Sequence, residues 1–267
     1  MNLQYLSYYL EIIAKRINGK ELTNPVTNGE YAVLESIIKY HKINFSQKKF
    51  FFIDAGANLG NYTIKFSKLC EKYRLNNFSA YLIEPNPKII ETLKLNLKGI
   101  NCNLIENAIG DKNKKISFFL DSKNEISGSS SSLKHHYLDQ EIKLYQITID
   151  SLLKKNKISH VDFLKLDIEG LEYDAIVGAK DSLKNKVIDY IQLEYAQTWI
   201  ETRGRIKKIL ELCNYYSYTL FRIRKNDLLA IPKYHFAIED FCYSNMLMVR
   251  KGCKLPLYCK KSVMPDM

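Results

Sequence analysis

Phe50-Phe51-Phe52-Ile53 is a continuous apolar run, and Asp54-Ala55-Gly56-Ala57-Asn58-Leu59-Gly60 follows it directly. Unbroken apolarity over so short a run fits a strand buried on both faces, as in a parallel sheet sandwiched by helices. Glycines straight after such a strand permit positive φ and let the backbone approach a ligand closely. Next, Leu59, Tyr62, Phe66, Leu69 and Tyr73 fall on one helical stripe. A strand, a glycine turn and a helix in this order predict an α/β domain with a ligand at the carboxyl edge of its sheet.

The alternation continues downstream. Strands are expected at 78–83, 103–108, 161–166 and 188–193. Helical stripes run through Ile89, Ile90, Leu93 and Leu97, through Leu171, Ala175, Ile176, Ala179 and Leu183, and through Ile206, Ile209, Leu210 and Cys213. Such strand–helix repetition predicts a parallel sheet with helices on both faces. Residues 218–223 and 246–250 read as a closing pair of strands. Ahead of the sheet, Leu3, Leu6, Leu10, Ile13 and Ile17 predict a helix ended by Asn18-Gly19, and residues 30–41 predict another. Between 111 and 150 the alternation breaks. Strands at 116–120 and 142–149 flank a serine-rich stretch at 124–132, which is read as a binding loop or lid. The chain thus divides into a helical N-terminal extension (1–44), an α/β domain (45–250) with a lid or insertion at 111–150, and a tail (251–267).

The 267 residues carry a formal net charge of +11. That balance suits a phosphorylated or lipid-linked acceptor, or peripheral contact with an anionic membrane, as well as it suits a merely solvated lysine-rich surface. No apolar run reaches the length of a transmembrane segment. Six scattered cysteines without metal-ligand spacing, and no signal-peptide pattern, lead to the expectation of a cytoplasmic protein with reduced thiols.

The glycine turn discriminates between cofactors. A dinucleotide site needs GxGxxG. Gly56-Ala57-Asn58-Leu59-Gly60 lacks the middle glycine, and Asp54 in front would repel a pyrophosphate. A methionine moiety instead offers an ammonium to Asp54 and a carboxylate to backbone N–H groups between Gly60 and Thr63. The turn therefore favours S-adenosylmethionine. Glu84, at the end of the second strand, stands where an acid accepts hydrogen bonds from ribose hydroxyls.

With these pieces placed, the chain resembles the FkbM family of S-adenosylmethionine-dependent methyltransferases. The matching segments are Phe52 through Thr63, Ile83-Glu84-Pro85-Asn86-Pro87, Asn107-Ala108-Ile109-Gly110-Asp111, Val161 through Glu172 with Val177-Gly178-Ala179, and Ile191-Gln192-Leu193-Glu194. The resemblance implies a class I methyltransferase Rossmann-like fold, with a seven-stranded, mostly parallel sheet and an antiparallel last strand. It also implies O-methylation, often of sugars in bacterial surface glycans or of natural products. The expected cofactor contacts are Asp54, Gly56, Ala57, Asn58, Gly60, Asn61, Tyr62, Thr63, Glu84, Pro85 and Asp167, with Asn107 and Ala108 near the adenine.

Methyl transfer to a hydroxyl needs alignment and removal of a proton. Asp167, at the end of the fourth strand, is the first choice as base or as orienter of the acceptor hydroxyl. Glu194 ends the adjacent strand and faces the same cleft, and such a carboxylate pair also suits a divalent metal. His135 and His136 are weaker candidates for contact with the acceptor, since imidazole titrates near neutrality. Glu172 and Lys165 are read as structural. A carbohydrate or small-molecule acceptor is the leading expectation. The alternatives are a natural product, an RNA or protein substrate, or a non-catalytic domain that only binds the cofactor. Asp167-Ile168-Glu169-Gly170 departs from the Asp/Asn-Pro-Pro-Tyr/Phe pattern of amino-base methylation, so nucleic acid is disfavoured.

Overall fold

The computed structural model describes residues 3–121, 130–131, 139–255 and 262–263. His135 and His136, and most of the serine-rich stretch, lie outside the described residues. The strands are β1 (Phe50–Ala55), β2 (Phe78–Ile83), β3 (Cys102–Ile105), β4 (Ala108–Ile109), β5 (Lys114–Leu120), β6 (Ser130–Ser131), β7 (Gln140–Ile147), β8 (Val161–Leu166), β9 (Ile188–Tyr195), β10 (Tyr218–Ile223), β11 (Leu228–Ala230), β12 (Ser244–Arg250) and β13 (Ser262–Val263). The α-helices are α1 (Leu3–Ile17), α2 (Glu30–Asn44), α3 (Asn61–Tyr73), α4 (Ile90–Asn96), α5 (Ile149–Lys155), α6 (Glu172–Val177), α7 (Lys180–Lys184) and α8 (Ile206–Tyr216).

The main sheet has the order β3-β2-β1-β8-β9-β12-β10-β11-β13. From β3 to β9 all neighbours are parallel, and β12 inserts antiparallel between β9 and β10. The first seven strands are the expected class I methyltransferase sheet. Two short strands, β11 and β13, extend it beyond that expectation.

Register is what assembles a site. Ala55 is level with Ile83 on one side and with Leu166 on the other, and Leu166 is level with Leu193. The residues that follow, Gly56, Glu84, Asp167 and Glu194, therefore stand along one edge, with Glu194 still within β9.

Each face of the sheet has its own core. One holds Ile53, Ala55, Leu164, Leu166, Ile191 and Leu193 against α5 to α8. The other holds Phe50, Phe52 and Phe163 against α2 and α3. There Phe52 stacks on Phe66 with ring centroids 4.3 Å apart, a geometry that contributes beyond area burial alone. The N-terminal extension consequently splits in two. α2 buries Val33, Leu34, Ile37 and Ile38 in this second core, whereas α1 buries no residue. Leu3, Leu10, Ile13 and Ile17 of the expected apolar stripe are all more than half exposed.

Two local expectations change. The strand expected at 142–149 stops at Ile147, because the Thr148 hydroxyl accepts from Ser151 N–H at 3.1 Å and starts α5. The single helix expected through Leu171 to Leu183 is two short ones, α6 and α7. Between them Gly178 packs so tightly that a Cβ there would lie 2.1 Å from the Gly110 carbonyl oxygen. The insertion forms a second sheet, β4-β7-β5-β6, which begins where Ala108 leaves the main sheet to pair with β7.

Candidate active site

A cavity of about 270 Å³ opens at the carboxyl edge and is lined by the ends of β1, β2, β8 and β9 and by the start of the insertion. Gly56 forms its floor. The N–H groups of Gly56 and Ala57 donate to the Ile83 carbonyl, and Asp167 N–H donates to the Ala55 carbonyl, so three strand ends are tied together. Gly56 has φ +82°, and a Cβ there would sit 1.7 Å from the Asp167 carbonyl oxygen. Only glycine meets both demands.

Glu84 is 4% exposed and lines the cavity. Its two carboxylate oxygens accept from Asn58 N–H (2.8 Å) and Asn86 N–H (2.9 Å). Burial pushes its carboxyl up to about 7, against the pull of those two donors. Pro85, Asn107, Ala108, Ile109 and Phe118 complete this end of the cavity. Phe118 belongs to the insertion, in the inward half of the alternating run Ile116-Phe118-Leu120.

At the other end stand Asp167, Glu169 and Glu194. Lys165 Nζ donates to Asp167 Oδ2 at 2.7 Å and lies 3.9 Å from Asp54 Oδ1 and 4.9 Å from the Tyr62 ring centroid. Burial would raise Asp167, but the Lys165 charge and hydrogen bonds from Glu194 and Lys165 outweigh it and hold the carboxyl below its ordinary range. Burial, and then the Asp167 charge, pushes Glu194 well up. The two carboxyls therefore titrate as a pair, with Asp167 held toward its charged form and Glu194 toward its protonated one. Burial, followed by the Asp167 charge, brings Glu169 up to about 7. Glu169 also holds a left-handed backbone, φ +56°, unusual for a side chain of its kind. Glu172 is buried, and its Oε1 accepts from Ile168 and Gly170 N–H, so it fastens the loop as expected.

Several expected cofactor residues lie beneath the cavity. Asp54 is fully buried, with Oδ2 accepting from the Thr63 hydroxyl at 2.8 Å. It shares a strand face with Phe50 and Phe52, and the pleat turns it toward α3, away from the cavity. Tyr62 packs among Phe52 and Phe163 and donates to Gln192 Oε1. Ala57, Gly60, Asn61, Tyr62 and Thr63 are outside the lining, while Gly56, Asn58, Glu84, Pro85, Asn107, Ala108 and Asp167 are in it. Asp54, Lys165 and Gln192 are level on adjacent strands. Glu30, from α2, reaches this row by accepting from Gln192 Nε2 at 2.7 Å and from Asn245 Nδ2 at 2.9 Å. Tyr195 and Trp199 are wholly buried, in the core.

The methyltransferase FkbM domain matches residues 54–220, more than half of the chain. The chain belongs to the FkbM methyltransferase family. Within the curated proteins, it is 27% identical over 175 residues to the 2-O-methyltransferase NoeI of Sinorhizobium fredii, covering 60% of this chain and 69% of that one. Among solved structures it is similar to an S-adenosylmethionine-dependent methyltransferase of Agrobacterium tumefaciens, with TM-score 0.46, 8% identity, and coverage of 85% of this chain and 63% of that chain. It is also similar to the plantazolicin methyltransferase BpumL in complex with S-adenosylhomocysteine, with TM-score 0.42, 12% identity, and coverage of 83% and 84%. This FkbM-family chain is thus an S-adenosylmethionine-dependent methyltransferase.

The residues present fit that cofactor. Asn58 Oδ1 is buried in the turn without a hydrogen-bond partner, and Gly56 and Asn58 both line the cavity. A ring of acids around the cavity suits a ligand that carries positive charge. Elsewhere, His160, Asp162 and Asp189 bring three potential metal-ligand atoms within 4.8 Å of one another. Asp189 is held by Arg250, and Asp162 by His41 and the Phe51 N–H. His41 and His160 thus stand in ion pairs remote from the site. Among the described residues no helix is long and apolar enough to cross a membrane, and the five described cysteines are free.

Proposed function

We propose that this enzyme is an O-methyltransferase that methylates a hydroxyl of a carbohydrate, such as a sugar of a bacterial surface glycan or its precursor. The observation that carries the reading is the group of carboxyls at the end of the cavity opposite Glu84. Asp167 and Glu169 can accept from a hydroxyl there, while Glu194 is held toward its protonated form. The similarity to a protein named for 2-O methylation supports an oxygen acceptor.

The bound cofactor supplies an activated methyl on a sulfonium with a neutral thioether as leaving group. Glu84 would accept from its ribose hydroxyls, and Ala108, Ile109 and Phe118, which line the same end of the cavity, would hold the adenine. Asp167, fixed by Lys165 and Glu194, orients the acceptor hydroxyl. It is a weak base because its charge is so well stabilised. Glu169, with its carboxyl near neutrality, takes the proton. Removing Asp167's charge is expected to lower kcat about 10²-fold with S-adenosylhomocysteine affinity retained. Glu169→Gln is expected to remove the limb of the kcat/KM profile that rises through pH 7. Saccharide acceptors with radiolabelled methyl donor provide the assay. Full turnover by Asp167→Asn, or methylation confined to amine nitrogens, would end this reading.

A further inference from the structure

Arg222 is 2% exposed, yet its Nε and Nη2 make no hydrogen bond. It sits on β10 opposite Met246 of β12, which is in turn opposite Leu193 of β9. The guanidinium thus belongs to the carboxyl edge, level with the residue before Glu194. Ser244, 1% exposed and directly opposite Tyr195, also has an unpartnered Oγ. Strand alternation puts Arg222 with Tyr218 and Leu220, and Ser244 with Met246 and Met248, on the sheet face that carries Tyr195. Trp199, whose ring lies 5.1 Å from that of Tyr195, leaves its buried Nε1 unpartnered as well.

A buried guanidinium without a partner is among the costliest arrangements a core can hold. The neighbouring acids are engaged elsewhere. Asp240 pairs with Lys20 and accepts from Cys242 N–H, and Glu239 accepts from the Tyr195 hydroxyl and from Ile206 and Lys207 N–H. Burial accordingly pushes Arg222 below its ordinary value despite the charge of Asp240. What is left around Tyr195 is a set of donors, and the planar guanidinium fork matches a carboxylate or a phosphate two bonds at a time. The cover over this edge is one segment, fastened by Phe241 N–H donating to the Tyr195 hydroxyl, by the Glu239 bonds and by the Asp240–Lys20 pair. Residues 236–243 are exposed or half-buried apart from Ile238, and Phe241 holds a left-handed backbone.

We propose that Arg222, assisted by Ser244, binds an oxyanion carried by the acceptor, a carboxylate or a phosphate, so that the substrates of this enzyme are acidic. The inference rests on the reading that the acceptor enters beside Asp167 and Glu194. Binding requires residues 236–243 to release the Phe241 and Glu239 bonds to Tyr195, and the net charge of +11 favours the anion's approach.

Thermal denaturation of the full chain tests the proposal, with phosphate, glucuronate or glucose added at constant ionic strength. Phosphate, glucuronate or both should raise the wild-type midpoint, and glucose should not. A response to phosphate alone assigns a phosphorylated acceptor, and one to glucuronate alone a uronic acid. Arg222→Met should melt higher than wild type without added anion and should not respond to it. Arg222→Lys, which keeps the charge and loses the fork, should need about ten times more anion for the same shift. The proposal is overturned if wild type responds to neither anion, if Arg222→Met responds as wild type does, or if Arg222→Met melts lower in anion-free buffer. S-adenosylhomocysteine calorimetry separates the two readings. Wild type that binds it without an anion response breaks this inference alone, whereas failure to bind it breaks the assignment of the site.

Discussion

Glu84→Gln is the sharpest test of how the cavity is built. The Glu84 carboxyl stands at about 7 against an ordinary 4.5 because it is buried. Between those values the folded chain keeps a proton that the unfolded chain has lost, so stability falls as pH rises through this window. At pH 8 the cost reaches about 3 kcal/mol, at about 1.4 kcal/mol per pKa unit. At pH 5 it is about 1 kcal/mol, and below 4.5 it vanishes. A neutral amide escapes this cost but keeps a single acceptor oxygen. One of the two N–H donors, Asn58 or Asn86, loses its partner at a cost of about 1 kcal/mol. The variant without cofactor should therefore be more stable than wild type by about 2 kcal/mol at pH 8 and near parity at pH 5. Urea unfolding at the two pH values measures both numbers. S-adenosylhomocysteine should meanwhile bind about 10- to 100-fold more weakly, since a charge-assisted acceptor for the ribose is gone. A variant no more stable than wild type at pH 8, with a parallel pH profile, would refute the claim that burial sets the Glu84 proton.

Other substitutions probe the frame around it. Gly56→Ala drives a methyl into the Asp167 carbonyl at a positive φ. It should abolish the calorimetric signal for S-adenosylhomocysteine and lower the melting midpoint, and binding within threefold of wild type would contradict the close approach described above. Asp150 accepts from the N–H groups of Asp181 and Ser182 and from the Ser182 hydroxyl, capping α7 from α5. Asp150→Ala should cost about 1–2 kcal/mol in urea unfolding, and an unchanged midpoint would show the cap to be idle.

The parts of the fold that were legible beforehand are those in which burial alone dictates residue type. β1, β8 and β9 lie inside a covered parallel sheet, so their apolar runs announce them. α5 was hidden because Ile147-Thr148-Ile149 reads as one β-branched run until the Thr148 side chain turns the backbone. In the site, Gly56, Glu84 and Asp167 were legible because each directly follows a strand, and Glu194 because it stands next to the end of one, and register makes strand ends meet. Asp54 was harder. Its distance from the glycines is the same whichever way it points, and only the parity shared with Phe50 and Phe52 shows that it faces the core. Parity read across strands would also have grouped Asp54, Lys165 and Gln192, the polar residues second from the end of apolar runs or one short of it. Glu30 left no such trace, because it reaches Gln192 from 162 residues away through the packing of α2. Glu169 carried no sequence signal of its own, because the burial that brings it near neutrality is a property of the assembled cavity.

The acids around the cavity also make ligand binding a proton-exchange reaction. Glu84 and Glu169 stand at about 7, so both are partly protonated under neutral conditions. A cation entering among them favours their ionised forms and expels protons to solvent. Methyl transfer then discharges that cation, so the same carboxyls regain protons and lose their attraction for what remains. One feature therefore serves loading and release, with the solvent proton pool as counterweight. The heat of binding should accordingly depend on the ionisation enthalpy of the buffer for the sulfonium donor more than for its thioether product. Identical buffer dependence for the two would mean that the acids do not follow the charge.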